Sequence, residues 1–316
     1  MSFSEWFNAF RESVAFDIII NIVASIIIAV VLFSKDGVVN AIYRKKMFET
    51  TRIRHFKKDY GKKVKFYYAK SDQYDEEEGS YLSFPCEYLS MGCIESFLKI
   101  KLPNLNVERE MTPEDLSGVL NISSDYDIVI FGGPVHNLVT RYYFDLCNPN
   151  NKAHIYFTTP EYLLHATGYN VERKDEDARK RTKISVDSQI TANRDFDVER
   201  DEKTGSFIKD HGIIINIKNP KNVKRRIILF MGSRTFGVQG AANYFSYYNK
   251  ELRKALKKLP GGIPNEYAMI VKCTSSNRNI DQKIDPEMII PLESFKESDF
   301  KSDNLGTLKE KIKNKK

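Results

Sequence analysis

Tyr126–Thr140 reads YDIVIFGGPVHNLVT, an apolar run that ends in paired glycines and continues into helix-forming residues. A run without polar alternation leaves no solvent face, so YDIVIF suits a strand covered on both sides, as in parallel sheets. Gly132 and Gly133 let the backbone turn or approach a ligand closely. The helix expected through Tyr142–Leu146 would aim free N–H groups and a partial positive charge back at that turn.

The same pattern recurs outward along the chain. Val64–Ala69 (VKFYYA), Ala153–Phe157 (AHIYF), Arg226–Met231 (RIILFM) and Tyr267–Val271 (YAMIV) read as strands, with Val107–Glu110 as a shorter one. Cys86–Leu102 reads as a helix with Leu89, Cys93, Phe97 and Ile100 on one face. Thr112-Pro113-Glu114-Asp115 reads as a helix start, with Thr112 as cap, Pro113 in the first turn and acids at the positive end of the dipole; the helix ends near Leu120. Strands alternating with helices predict an α/β domain over 64–300, a parallel-rich sheet with helices on both faces. Residues 168–222 interrupt it. ISVDSQIT and the GIIINIK run of Gly212–Lys218 predict a β-rich antiparallel insertion, and the charge run Glu172–Lys183 a solvated face. No 20 to 50 residue period marks a repeat architecture.

With 316 residues, 41% hydrophobic and 29% charged, the chain has material for its own core, which excludes disorder over the whole length. Cys86, Cys93, Cys147 and Cys273 are too few for a disulfide scaffold and lack zinc-ligand spacing, so they read as free thiols, and no metal site is expected.

The net charge of +7 is local. Ten basic residues (Lys35, Arg44, Lys45, Lys46, Arg52, Arg54, Lys57, Lys58, Lys62, Lys63) face three acids (Asp36, Glu49, Asp59) in the segment 34–63, which accounts for the whole excess. No nucleic-acid partner is therefore expected. The preceding Val14–Phe33, VAFDIIINIVASIIIAVVLF, is nearly devoid of strongly polar residues. Twenty residues at about 1.5 Å each cover the ~30 Å of a hydrocarbon core, which predicts a single transmembrane helix. The basic collar after it predicts a cytoplasmic C-terminal domain in contact with anionic lipid headgroups. Residues 1–13 become a short extracytoplasmic tail with Trp6, Phe7 and Phe10 at the interface, and the Lys-rich residues 301–316 a flexible end.

Ligands of open α/β sheets bind beyond the carboxyl ends of strands. Two strand-to-helix junctions there are candidates. The first offers Gly132, Gly133, Pro134, His136, Asn137 and Thr140, with His136 as a possible proton carrier. The second, GSRTFGVQGAA after RIILFM, offers Gly232, Ser233, Arg234, Thr235 and Gly237, whose donors suit a phosphate or carboxylate. Neither is a Walker A or a G-x-G-x-x-G motif, and a tight turn before a capped helix is the alternative for each. The acidic SDQYDEEEGSY loop, with Asp72, Asp75, Glu76, Glu77 and Glu78, reads as a solvated loop, with metal binding or acid/base work as the alternative. No catalytic residue is assigned.

The pairing of a strand plus GGPVHNLVT with a strand plus GSRTFGVQGAANYF resembles the Rossmann-like nucleotide-sensing domains of the SLOG and TIR-like group, over roughly residues 64–290. That group serves bacterial signalling and antiphage systems and is often joined to membrane helices. The resemblance implies binding of an NAD-derived nucleotide or cyclic nucleotide at Gly132, Gly133, Asn137, Gly232, Ser233, Arg234 and Gly237. A similar motif pairing occurs in archaeal surface-layer-type domains, whose extracellular placement the basic collar opposes. The catalytic Glu of TIR-like enzymes has no match among the motifs. The expectation is a nucleotide sensor that reports to the membrane helix, with possible self-association; a membrane-tethered enzyme on a nucleotide or glycosyl substrate and a non-catalytic scaffold are the alternatives.

Overall fold

The computed structural model of the chain describes residues 3–5, 21–28, 30, 42, 45–53, 63–75, 80–83, 85–102, 105–134, 137–146, 153–158, 162–165, 170–172, 183–188, 194–200, 203, 207–276 and 279–292. The chain divides into two compact units, Met1–Met47 and Phe48–Lys316. In the first, residues 21–28 are helical, and Ile22, Val23, Ile26, Ile27 and Ile28 are each about half exposed. Among the described residues no helix is long and apolar enough to cross a membrane. The rest of the expected span over 14–33, most of the basic segment and the 301–316 tail lie outside the described residues.

The second unit starts with β1 (Lys63–Tyr68), the hairpin strands β2 (Lys70–Asp75) and β3 (Ser80–Ser83), α1 (Pro85–Lys101), β4 (Asn106–Met111), α2 (Leu116–Leu120), β5 (Asp127–Phe131) and α3 (Leu138–Leu146). Five strands follow: β6 (Ala153–Thr158), β7 (Tyr162–His165), β8 (Asn170–Glu172), β9 (Lys183–Ser188) and β10 (Arg194–Asp197). The chain then forms β11 (Glu199–Arg200), β12 (Phe207–Asn219), β13 (Asn222–Gly232), α4 (Thr235–Ser246), α5 (Asn249–Lys257), β14 (Glu266–Ser276) and β15 (Asn279–Leu292).

Among the described residues an eight-stranded main sheet runs in the order β15-β14-β12-β13-β5-β1-β4, with β11 attached to β12. The strands from β13 to β4 pair in parallel, with Phe66 opposite Val129 and Phe230 opposite Phe131. The strands from β13 to β15 pair antiparallel, so the sheet is mixed, with the parallel-rich core that was expected and an antiparallel flank. Pro220-Lys221 explains it: Asn219 pairs with Asn222 across this two-residue turn, too short for a crossover.

Two expectations are corrected. GIIINIK belongs to β12 at the centre of the main sheet rather than to the insertion. Ala153–Phe157 belongs instead to the insertion, a five-stranded antiparallel sheet ordered β10-β9-β6-β7-β8. Its Ile155, Ile184, Val186 and Phe196 share one core with Ile213, Ile215, Ile217 and Leu229 of the main sheet, so part of that face is covered by β-structure where helices were expected. Helices α1 and α4 pack beside the other face, where Phe66, Phe131, Phe230 and Phe245 form a chain of ring contacts 5.2 to 5.4 Å apart. Each such buried ring or branched side chain is worth roughly 1.5–3 kcal/mol relative to exposure. The cap of α2 is Asp115, which accepts from Gly118 N at 2.8 Å, and not Thr112, whose hydroxyl accepts from Val139 N.

At the amino edge of the parallel strands, the helical turn of residues 48–51 is fastened by a buried polar network. Asn216 Nδ2 donates to the carbonyls of Thr50 and Thr51 at 2.9 and 3.1 Å, and Tyr267 Oη donates to Thr50 O at 3.0 Å. Arg226 donates twice to Asn216 Oδ1 and once to Asn265 O. Burial pulls the Arg226 guanidinium down to about 10, against the opposing charge of Glu266.

Candidate functional site

From β1 the chain crosses to β4 on one side and then returns to β5 on the other, so the carboxyl ends of β1 and β5 mark a topological switch point, where open α/β sheets hold ligands. Glu87, in the first turn of α1, is buried there. Its Oε2 accepts from Ala69 N, just past β1, at 3.0 Å. Its Oε1 faces Gly132, just past β5: a Cβ on Gly132 would come within 2.4 Å of that oxygen, and φ of 101° already selects glycine. Burial pushes the Glu87 carboxyl up to about 8, opposed by the Ala69 hydrogen bond. Glu87 is therefore mostly protonated near neutral pH, able to donate a hydrogen bond and to give up a proton in the physiological range.

The second junction is arranged around another buried acid. Asp210 of β12 accepts from Gly237 N through Oδ2 at 2.5 Å and from His211 N through Oδ1 at 2.8 Å. Burial pushes Asp210 up to about 6, against these donors and the charge of Arg234. An N–H group of the first turn of α4 thus meets a carboxylate of the chain's own. Close packing accounts for the glycines here: a Cβ on Gly212 would lie 2.2 Å from Gly237 O, and one on Gly232 would lie 2.4 Å from Val238 N. Ser233 Oγ is buried and has no hydrogen-bond partner among the described residues.

Other polar groups crowd the same edge. The half-buried Cys86 thiol bonds to Thr235; burial raises its pKa, and it senses the charges of Glu87 and Asp210. His211 Nε2 lies 3.4 Å from Glu287 Oε2, and burial lowers the imidazole pKa against that carboxylate. Among the described residues no cluster of His, Cys, Asp and Glu could hold a metal ion.

Among the residues expected from the sequence, Gly132 sits at the switch point, while Gly232, Ser233, Arg234, Thr235 and Gly237 form the turn into α4. Asn137 and Thr140 brace their own loop: Asn137 Nδ2 donates to Phe131 O at 2.9 Å, its Oδ1 accepts from Thr140 N at 3.0 Å, and Thr140 Oγ1 donates to Gly132 O at 3.0 Å. Gly133 is half-buried, and Pro134 O accepts from Arg141 Nε at 3.0 Å. His136 and Glu76, Glu77 and Glu78 lie outside the described residues, whereas Asp72 and Asp75 belong to β2. Sequence reading missed Glu87, Asp210 and His211. Glu87 passes in the sequence as an ordinary first-turn acid, and Asp210 stands among other charged residues before GIIINIK.

No family model, curated protein or solved structure matches this chain.

Proposed function

We propose that this chain is a single-pass membrane protein, N-terminus outside, whose cytoplasmic α/β domain binds a nucleotide or related anionic small molecule at the carboxyl edge of its parallel strands. It acts as a sensor or effector in bacterial signalling or antiphage defence, in the manner of the SLOG and TIR-like group that its glycine loops resemble. The observation that carries this reading is Glu87, buried at the switch point with one oxygen against Gly132. A protonated carboxyl there donates to a ribose hydroxyl or phosphate oxygen without repelling an anion. Ser233 Oγ, a buried hydroxyl, and the Arg234 cation at the neighbouring turn supply further donors.

The test is a thermal-shift panel on the full chain in detergent with NAD, ADP-ribose, cyclic nucleotides, ATP and GTP, repeated on Glu87→Gln and Arg234→Ala. Ligand at a hundredfold its Kd adds about 2.7 kcal/mol, which moves Tm by a few degrees. The expected result is a shift with at least one nucleotide that either substitution weakens. A panel without any shift up to millimolar ligand overturns the proposal.

One observation favours a second reading, a membrane-tethered enzyme. A carboxyl held near 8 is matched to general acid work near neutral pH. Turnover of a nucleotide or glycosyl substrate that falls by 10²-fold or more in Glu87→Gln, with ligand shifts retained, selects the enzyme over the sensor.

A further inference from the structure

We propose that the outward face of α5 is a second membrane-contact surface, built to meet anionic lipid headgroups. This rests on the reading of 14–33 as a membrane span. Helix α5 is sharply two-sided: Leu252 and Leu256 are fully buried, while Lys250, Lys254 and Lys257, together with Lys258 at its C-cap, are exposed, with Glu251 as the one exposed acid of the helix. The single arginine of the helix is turned to the protein, where Arg253 Nε pairs with Glu49, a residue that Lys257 Nζ also approaches at 3.9 Å. What remains on the outer face are ammonium point charges, which suit a diffuse layer of headgroups better than the planar, bidentate recognition an arginine fork provides. The turn before the helix adds Tyr247 and Tyr248, 74% and 39% exposed, amphipathic rings of the kind favoured at membrane interfaces.

The place of α5 in the fold supplies the second argument. Asn249 and Thr50 share hydrogen bonds of 3.1 and 3.3 Å, and Arg253 holds Glu49, so α5 is fastened to the stretch by which the chain joins this domain. Glu49 follows Phe33 by sixteen residues, so chain length alone keeps that attachment within about 60 Å of the end of the span. A basic surface fixed at the point of tethering meets the bilayer at high effective concentration. Each lysine close to an anionic leaflet adds about fivefold in partitioning.

The experiment is lysine footprinting of the full chain in nanodiscs, comparing phosphatidylcholine alone with 30% phosphatidylserine. Acylation at Lys250, Lys254, Lys257 and Lys258 is read by mass spectrometry against the exposed Lys283 of β15. The expected result is at least a threefold drop in rate at these four lysines in anionic discs, reversed by 0.5 M salt, with Lys283 unchanged. Equal rates in the two discs overturn the proposal. So does protection that appears only when an RNA oligonucleotide is added to neutral discs. A chain that fails to enter discs overturns the span but not the surface; the same footprint is then read with anionic and neutral vesicles added to the free chain. Threefold protection by the anionic vesicles keeps the α5 assignment, and equal rates remove it.

Discussion

At the amino edge of the main sheet Arg226 is buried yet keeps its charge, because Asn216 Oδ1 takes two of its N–H groups, Asn265 O takes another and Glu266 stands by as counter-charge. At the carboxyl edge Glu87 is equally buried but receives one described hydrogen bond, from Ala69 N, and gives up its charge near neutral pH. Both ends take a charged side chain out of water, a step that costs several kcal/mol unless partners are supplied. Where partners are supplied in full, the group fastens the chain to the sheet. Where they are withheld, it titrates in the physiological range, which is a property of use to a ligand or a reaction.

Breaking the fastened end should have the largest effect. Arg226→Met removes two N–H donors from the Asn216 carbonyl oxygen and the cation that faces Glu266, and is expected to cost about 3–5 kcal/mol in a urea titration of the full chain. A loss below about 1 kcal/mol would make the two edges energetically alike.

The titrating end has a signed prediction. Glu87 is raised from its ordinary 4.5 to about 8, so its contribution is fully present below pH 4.5 and is lost as pH rises through 8. Wild-type stability should therefore fall between pH 5 and 8 relative to Glu87→Gln, leaving the variant the more stable at pH 8 by up to about 4 kcal/mol. Parallel pH profiles of the two proteins would remove the contrast between the edges. Asp210, pushed to about 6, works in the same direction over a lower window, and its own substitution by Asn separates the two.

Gly132→Ala sharpens the comparison from the backbone side. The added methyl meets the Glu87 carboxyl in a residue at φ 101°, with an expected loss of about 2 kcal/mol that Glu87→Ala relieves in part in a double-mutant cycle. Additive losses would mean that the two residues are not packed as described. The smallest effect belongs to a site remote from this contrast: Asp115→Ala removes the α2 cap at Gly118 N and should cost about 1 kcal/mol in thermal unfolding, with no change in any ligand response.

The sequence displays those strands whose burial makes them apolar throughout: VKFYYA, YDIVIF and RIILFM become β1, β5 and β13 in the parallel half. Direction is another matter, since GIIINIK and YAMIV are as apolar as the parallel strands and the run itself does not encode its partner's polarity. The short NPKN turn between GIIINIK and RIILFM does encode it, because two residues cannot return a chain for parallel pairing. AHIYF could not be assigned to its sheet by pattern, since one buried face shared between two stacked sheets looks the same from either.

The glycine loops were legible as turns before helices, yet their use of side chains was not. Asn137 and Thr140 read as donors for a ligand, and the structure spends them on Phe131 and Gly132 carbonyls. Glu87 could not be found from spacing, because its meaning depends on Gly132, forty-five residues away in sequence, and on Ala69 at the end of a different strand.

The two outermost strands of the main sheet carry a consequence for behaviour in a crowded cell. β15 includes Pro286 and Pro291, which lack the N–H needed to template another strand, and β4 presents Glu108, Arg109 and Glu110. Proline on one margin and charge on the other resist edge-to-edge polymerisation. Strand addition at these two margins is therefore disfavoured, and overexpression should yield discrete oligomers before it yields fibres grown through the main sheet.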